Sequence, residues 1–137
     1  YEYFEGLYNH HFQDKRITIS NKIKKINELI SLHEEEIANP ILKYLDDSEN
    51  FKLIGKNKIS NKNRAPTISF TSKKMSSKML SKKLVDNQIA TRNDNFYAWR
   101  CLKALGIDAD DGVVRISLAH YNSIEETKKL IKVFDKI

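Results

Sequence analysis

Apolar residues recur along the chain at two spacings, and each spacing predicts a type of secondary structure. Apolar positions three or four residues apart predict a long amphipathic helix from Ser20 to about Leu45, with Ser20 as its N-cap. Pro40 has no backbone N–H, so we expect this helix to bend or restart just before it. Alternating or short apolar runs predict four strands: 51–54, 65–71, 89–92 and the segment around Arg115. Three shorter helices are predicted: 75–85, 96–105 and 124–137. Asp94 or Asn95 is the expected N-cap of the second one, and Gly106 should follow its C-terminal end.

This order of elements predicts an α+β fold, a small and mostly antiparallel sheet with helices packed on one face. The apolar side of the strands should lie under the helices. The opposite side carries mainly polar residues: Thr67, Ser69, Arg115 and Ser117. That side is too polar for a core, and it suits a surface that faces a second domain or a ligand. The Asn- and Lys-rich loop 56–63 has little that we expect to be buried.

Arg115 is the most informative single residue. Val114 and Ile116 share one side of the period-2 pattern, so Arg115 should emerge on the other side. Ser123 and Glu126 have the spacing of a capping box, which predicts a helix directly after the strand. A guanidinium held on a rigid strand can bind a carboxylate through two parallel hydrogen bonds. A surface ion pair fits the same pattern, and on spacing alone it is the favoured role.

Composition narrows the class of protein. A chain of 137 residues with 40% hydrophobic and 31% charged residues is typical of a soluble globular domain with its own core. No apolar run is long enough to span a bilayer, and the histidines lack the spacing of a zinc site. A single cysteine excludes an intrachain disulfide and fits a cytoplasmic location. The net charge of +6 comes from scattered lysines, and we interpret it as background rather than a nucleic-acid surface.

Four segments carry a resemblance to a known family. They read GVVRISLAHYNSIEE at 112–126, RAPTISF at 64–70, QIATR at 88–92 and NFYA at 95–98. In this order they resemble the C-terminal part of the class V aminotransferase and cysteine desulfurase family, pyridoxal-phosphate enzymes of fold type I. The NFYA segment is most similar to the desulfurase-like subgroup, as distinct from the true desulfurases.

The resemblance implies a domain organisation. Residues 1–18 correspond to a connector helix, and residues 19–137 to the C-terminal small domain. The chain begins without an initiator methionine, which suggests a piece of a longer protein. The large domain of the family supplies a Schiff-base lysine that follows a histidine, and this chain has no His-Lys pair. We therefore expect pyridoxal phosphate in the full-length enzyme and none bound to this fragment. The partners implied are the upstream large domain, a second subunit in a homodimer and a small amino-acid substrate, with neither nucleic acid nor membrane.

The resemblance also assigns candidate site residues. Arg115 matches the family's arginine for the substrate α-carboxylate, and Arg92 matches a second arginine near the active-site loop. A strand-end ion pair remains open for Arg92. The catalytic cysteine of true desulfurases falls at Tyr97, so the loop lacks that nucleophile. Asn95 and Tyr97 are further candidates at the pocket mouth, although such residues usually serve as caps and core. Cys101 is expected to be a buried structural thiol.

The main hypothesis is thus a domain of a pyridoxal-phosphate enzyme that acts on an amino acid and contributes substrate-carboxylate binding, with no catalytic residue in the fragment itself. Two alternatives remain open. One is a free-standing α+β binding module for RNA or protein that uses the polar sheet face. The other is a catalytically dead homologue that serves as an interaction domain.

Overall fold

The computed structural model describes residues 1–14, 16–60 and 63–137. Its elements, in chain order, are α1 (Glu2–His11), α2 (Ile19–Asp47), β1 (Phe51–Ile54), β2 (Thr67–Ser72), α3 (Ser77–Asp86), β3 (Arg92–Asp94), α4 (Trp99–Ala104), β4 (Val113–Ser117) and α5 (Ile124–Phe134). Within this described part, the four strands form one antiparallel sheet in the order β1-β2-β4-β3. The predicted α+β class with a small antiparallel sheet is confirmed.

The main core lies between the sheet and three helices, α2, α3 and α5. Alternate residues of the inner strands, Ile68 and Phe70 on β2 and Val114 and Ile116 on β4, are buried there. Phe70 meets Phe134 of α5 edge-on, at a centroid distance of 5.5 Å. Burial of such side chains contributes roughly 1.5–3 kcal/mol each, so this face holds the fold together.

We call the other side of the sheet, which carries Thr67, Ser69, Arg115 and Ser117, the open face. One end of it is covered by the segment between β3 and β4, which includes α4. Leu102 of that segment and Val113 of β4 are buried together in a second, smaller cluster. The expectation that helices pack on one face therefore holds for α2, α3 and α5, whereas α4 covers part of the opposite face. Phe96 packs against this cluster and also contacts Arg115.

The long helix differs from its prediction in two ways. Its N-cap is Thr18, whose side chain accepts a hydrogen bond from the Asn21 N–H, and Ser20 lies within the first turn. The helix also continues through Pro40, so it does not restart there, and the bend stays a prediction. Just before the proline, the Asn39 side chain exchanges two hydrogen bonds with the backbone of Ile59, at 2.8 and 3.1 Å. Ile59 is buried, whereas the other described residues of loop 56–63 are exposed or half-buried, so the prediction that this loop buries little holds except at Ile59.

Two element boundaries near Arg92 shift because three residues adopt left-handed backbone. Gln88 has φ 62°, and the following Ile89 N–H still bonds to Leu84 of α3, so β3 begins at Arg92. Phe96 and Tyr97 have φ 50° and 60° and form a turn, so α4 begins at Trp99 instead of residue 96.

The predicted caps of α4 have a mixed outcome. The N-cap is Ala98, without a side-chain hydrogen bond, so the assignment of Asp94 or Asn95 was wrong. At the other end, Gly106 follows the C-cap with φ 69°, as its sequence position predicted.

Two further features of the described residues concern membrane spans and metal binding. No helix among them combines the length and the apolar character that a membrane span requires. Nor do they bring three or more His, Cys, Asp or Glu side chains into an arrangement that could hold a metal ion.

Candidate functional site

Arg115 lies in the middle of β4, an inner strand flanked by β2 and β3. Its neighbours Val114 and Ile116 are buried under the helices, so Arg115 emerges on the open face, as the alternation predicted. Across the sheet it pairs with Ser69 on one side and with Arg92 on the other. The strand register therefore places two arginines directly opposite each other.

The Arg115 guanidinium packs on the ring of Phe96, with its central carbon 4.2 Å from the ring centroid. Arginine stacks favourably on an aromatic face, and the contact limits the directions that its donors can take. Phe96 is held in place by the left-handed turn. In this turn the Asn95 side chain accepts a hydrogen bond from the Tyr97 N–H at 3.0 Å, and its carbonyl accepts from Ala98. The turn thus orients the arginine through Phe96.

The two arginines line a small concavity, which we call the arginine pocket. Its volume is about 220 Å³, and its lining residues are Ala90, Thr91, Arg92, Arg115 and Ser117. Thr91 is tied to α3 by a 3.0 Å hydrogen bond with Ser81. The pocket therefore offers two guanidiniums and a serine hydroxyl on a wall that the sheet and α3 keep rigid.

Neither arginine of the pocket has a carboxylate within 4.0 Å among the residues that the structure describes. The acidic side chains closest along the chain accept hydrogen bonds from backbone N–H groups instead. Asp94 accepts from Asn95 at 2.7 Å, and Asp111 accepts from Ser77 at 2.9 Å. Like charges directly opposite each other on a sheet repel. Two adjacent cations without a counterion are the arrangement expected of a site for an anion.

The structure brings Arg115 and Arg92 together but places the other two predicted residues outside the pocket lining. The Asn95 side chain bonds within the chain, to the Tyr97 N–H and to the Ala109 carbonyl oxygen at 3.4 Å. Tyr97 is fully exposed at the tip of the turn. Their role in substrate binding stays a prediction. Phe96, which sequence reasoning passed over as part of the NFYA segment, is the residue of this turn that contacts Arg115.

Cys101 is exposed, so the expectation of a buried thiol was wrong. The apolar sequence around it suggested a buried helix. However, α4 is only six residues long and buries Leu102, while Cys101 and Leu105 face outward.

A larger groove, about 830 Å³, runs along α2 beside Pro40 and Asn57. Its charged lining residues are mostly acidic: Glu35, Glu36, Asp46 and Asp47, with Lys43 and Lys58. Volume alone would favour this groove. The arginine pocket is the better candidate because it concentrates charge of one sign that the fold itself leaves uncompensated.

Comparison with known proteins agrees with the fold and with the four sequence segments. The family profile described as aminotransferase class V matches residues 20–130. The chain belongs to the class V aminotransferase family.

Two kinds of relative illustrate the match. The aminotransferase-like protein FGM3 of Gibberella zeae is 29% identical over 115 residues, which are 83% of this chain and 29% of that protein. The apo structure of a cysteine desulfurase from Thermococcus onnurineus superposes with a TM-score of 0.69 at 27% identity, over 84% of this chain and 28% of that one.

A NifS-like protein from Rickettsia africae shares the fold, with a TM-score of 0.66 at 18% identity over 84% of this chain and 30% of that one. The chain thus spans less than a third of the length of these three relatives.

Proposed function

We propose that residues 19–137 are the C-terminal small domain of a pyridoxal-phosphate enzyme that acts on an amino acid, with residues 1–18 as the connector to a large domain. The family membership and the share of the relatives' length that the chain covers support this assignment. The observation that carries the functional part is the arginine pocket. Arg115 there is oriented, half-buried and without an acidic partner among the described residues.

In this proposal Arg115 binds the α-carboxylate of the substrate. Its planar guanidinium can donate two parallel N–H bonds to the two carboxylate oxygens, which fixes the orientation of the amino acid as well as its position. The stacking on Phe96 lowers the entropy lost when the carboxylate binds, because the side chain is already held in one direction. The hydroxyl of Ser117, at the same wall, is a further donor to the bound acid.

The cofactor itself would be anchored by another domain. The residues that line the arginine pocket include no lysine, so the pocket does not fit the role of a Schiff-base site. Pyridoxal phosphate, when an enzyme of this kind binds it, serves as an electron sink for the reacting carbon. The residues of this chain would present the amino acid to that cofactor. A homodimer and a cytoplasmic location remain predictions.

The reaction we favour needs no loop nucleophile. The position of the true desulfurases' cysteine is occupied here by Tyr97, whose side chain cannot form a persulfide. Cys101 is exposed, but it lies on α4, outside the lining of the arginine pocket. We therefore propose a transamination or β-elimination on an amino acid, in which carboxylate binding by Arg115 is still required.

The proposal is tested in the intact enzyme with Arg115→Ala and Arg115→Lys. Removal of a charge-assisted bidentate contact should lower kcat/KM roughly ten- to hundredfold, mainly through KM. The lysine variant should recover part of this loss, because it restores the charge without the two-pronged geometry. Arg100→Ala is the matched control, since Arg100 is exposed on α4 and does not line the pocket. If Arg115→Ala behaves like Arg100→Ala, the assigned role is wrong.

A further inference from the structure

The arginine pocket holds one more cation than an α-carboxylate requires. A single guanidinium can satisfy both oxygens of a carboxylate. Arg92 nevertheless stands directly opposite Arg115 in the register of β3 and β4, where like charges repel. Among the described residues, no carboxylate lies within 4.0 Å of either side chain to offset this repulsion. We therefore expect the second cation to bind a second acid group of the ligand.

The two guanidiniums come from neighbouring strands of the sheet. Arg115 comes from an inner strand, and its guanidinium packs on the face of the Phe96 ring. Arg92 comes from the edge strand β3, is exposed and follows Ala90 and Thr91, which form the adjacent wall. Opposed residues of antiparallel strands have Cα atoms roughly 4.5–5.5 Å apart. Two carboxylates separated by a few carbon atoms can thus each reach one arginine.

We propose that the pocket selects an amino acid with a second carboxylate on its side chain. Arg115 binds the α-carboxylate and Arg92 binds the side-chain carboxylate. This inference rests on the proposed function, and it names the substrate class of the same site. The volume agrees with a small ligand, since about 220 Å³ is below the roughly 300–1,000 Å³ of pockets for drug-sized molecules.

The test uses two unreactive probes, succinate with two carboxylates and butyrate with one. Their dissociation constants are measured by calorimetry at fixed ionic strength, on the intact enzyme and on Arg92→Gln, Arg115→Gln and Arg100→Gln. The wild type should bind succinate about tenfold more tightly than butyrate. Arg92→Gln should abolish that preference and leave butyrate affinity within about twofold. Arg115→Gln should weaken both probes, and Arg100→Gln should change neither.

The other possible results contradict either this inference or the proposed function. If Arg92→Gln weakens the binding of succinate and of butyrate equally, both arginines bind the same carboxylate. This result overturns the inference and leaves the proposed function standing. A wild type without preference for succinate, or without measurable succinate binding at millimolar concentration, also overturns it. Unchanged binding of both probes in Arg115→Gln overturns the proposed function itself. Thermal unfolding of each variant checks that the fold is intact; removal of one of two facing cations is expected to leave the Tm unchanged or raised.

Discussion

At the scale of single residues, the arginine pocket depends on backbone conformations that ordinary side chains rarely adopt. Phe96 and Tyr97 are consecutive non-glycine residues with positive φ, and each such residue costs about 1–3 kcal/mol. The fold stabilises them through the Asn95 hydrogen bonds, and in return the turn presents a ring to Arg115. The sequence predicted the direction of Arg115 because alternation along a strand determines the face. It could not predict the contact of Phe96 with Arg115, since no residue pattern indicates a left-handed turn made of bulky residues.

Gly112 is a second residue on which this geometry depends. Its φ is 71°, and a Cβ added there would lie 2.5 Å from the Asp94 carbonyl oxygen and 2.8 Å from the Asn95 nitrogen. These atoms end β3 and begin the turn of Phe96. Gly112→Ala should therefore lower the free energy of unfolding by roughly 2–5 kcal/mol, through backbone strain and overpacking together. Urea denaturation of the 137-residue chain measures the loss.

Gly106→Ala is the control that separates the two causes. Gly106 has a similar φ of 69°, but an added Cβ there meets nothing within 4 Å. Its substitution should cost only the conformational strain, roughly 1–2 kcal/mol. Equal costs for the two variants would mean that the close approach of Gly112 to β3 does not matter.

At the scale of elements, the sequence predicts a helix or strand boundary correctly where side chains at a characteristic spacing determine it. The capping box of Ser123 and Glu126 was predicted from its spacing and is present, with the Glu126 carboxylate accepting from the Ser123 N–H at 2.8 Å. The start of β3 was misplaced, because the chain continues the α3 C-terminus through Ile89 before it can pair with β4. Such tertiary pairing leaves no periodic signal in a three-residue strand.

The capping box gives α5 an acid-dependent contribution to stability. The hydrogen bond from the Ser123 backbone, followed by that from the Asn122 side chain, lowers the pKa of Glu126 below its usual 4.5. A group with a lowered folded-state pKa stabilises the fold above its unfolded pKa, and the contribution is lost as pH falls through the folded value. Unfolding free energy should therefore drop more between about pH 5 and pH 3 in the wild type than in Glu126→Gln.

Urea denaturation across that pH range measures the difference, with Glu125→Gln as the control. Glu125 lies in the same first turn but takes no part in the capping box. If Glu125→Gln flattens the acid dependence as much as Glu126→Gln, a general helix-dipole effect is responsible and not the box.

At the scale of the whole molecule, the two faces of the sheet differ in character, and the proposed site lies on the open face. The helical face buries Phe51, Phe70 and Phe134, and the open face carries the two arginines of the pocket. The α+β class and the polar character of the open face were predictable, because strand alternation and helix periodicity are encoded locally. The position of α4 over Val113 was not, since a six-residue helix is placed by a few tertiary contacts around Leu102.

On the helical side of the sheet, a pH-dependent hydrogen bond joins Tyr44 of α2 to Asp135, which follows α5. The Tyr44 ring stacks on Phe134 at a centroid distance of 5.6 Å, and its hydroxyl donates to the Asp135 carboxylate at 2.8 Å. Burial, and next this hydrogen bond, raises the pKa of Tyr44 to about 12. A raised pKa means that the neutral phenol stabilises the fold. Its contribution is complete below the ordinary value of about 10 and is lost as pH rises towards 12.

Tyr44→Phe should therefore reduce the alkaline loss of stability of the whole chain. The phenylalanine keeps the stacking on Phe134 but has no proton to release, so its unfolding free energy should fall less than that of the wild type between about pH 9.5 and pH 11.5. Tyr121→Phe is the matched control, because Tyr121 is 79% exposed. All three proteins carry the same lysines, so the lysine contribution cancels from the comparison. If the three alkaline profiles run parallel, Tyr44 ionises as freely in the folded chain as in the unfolded one, and the link between α2 and the end of α5 does not stabilise the fold.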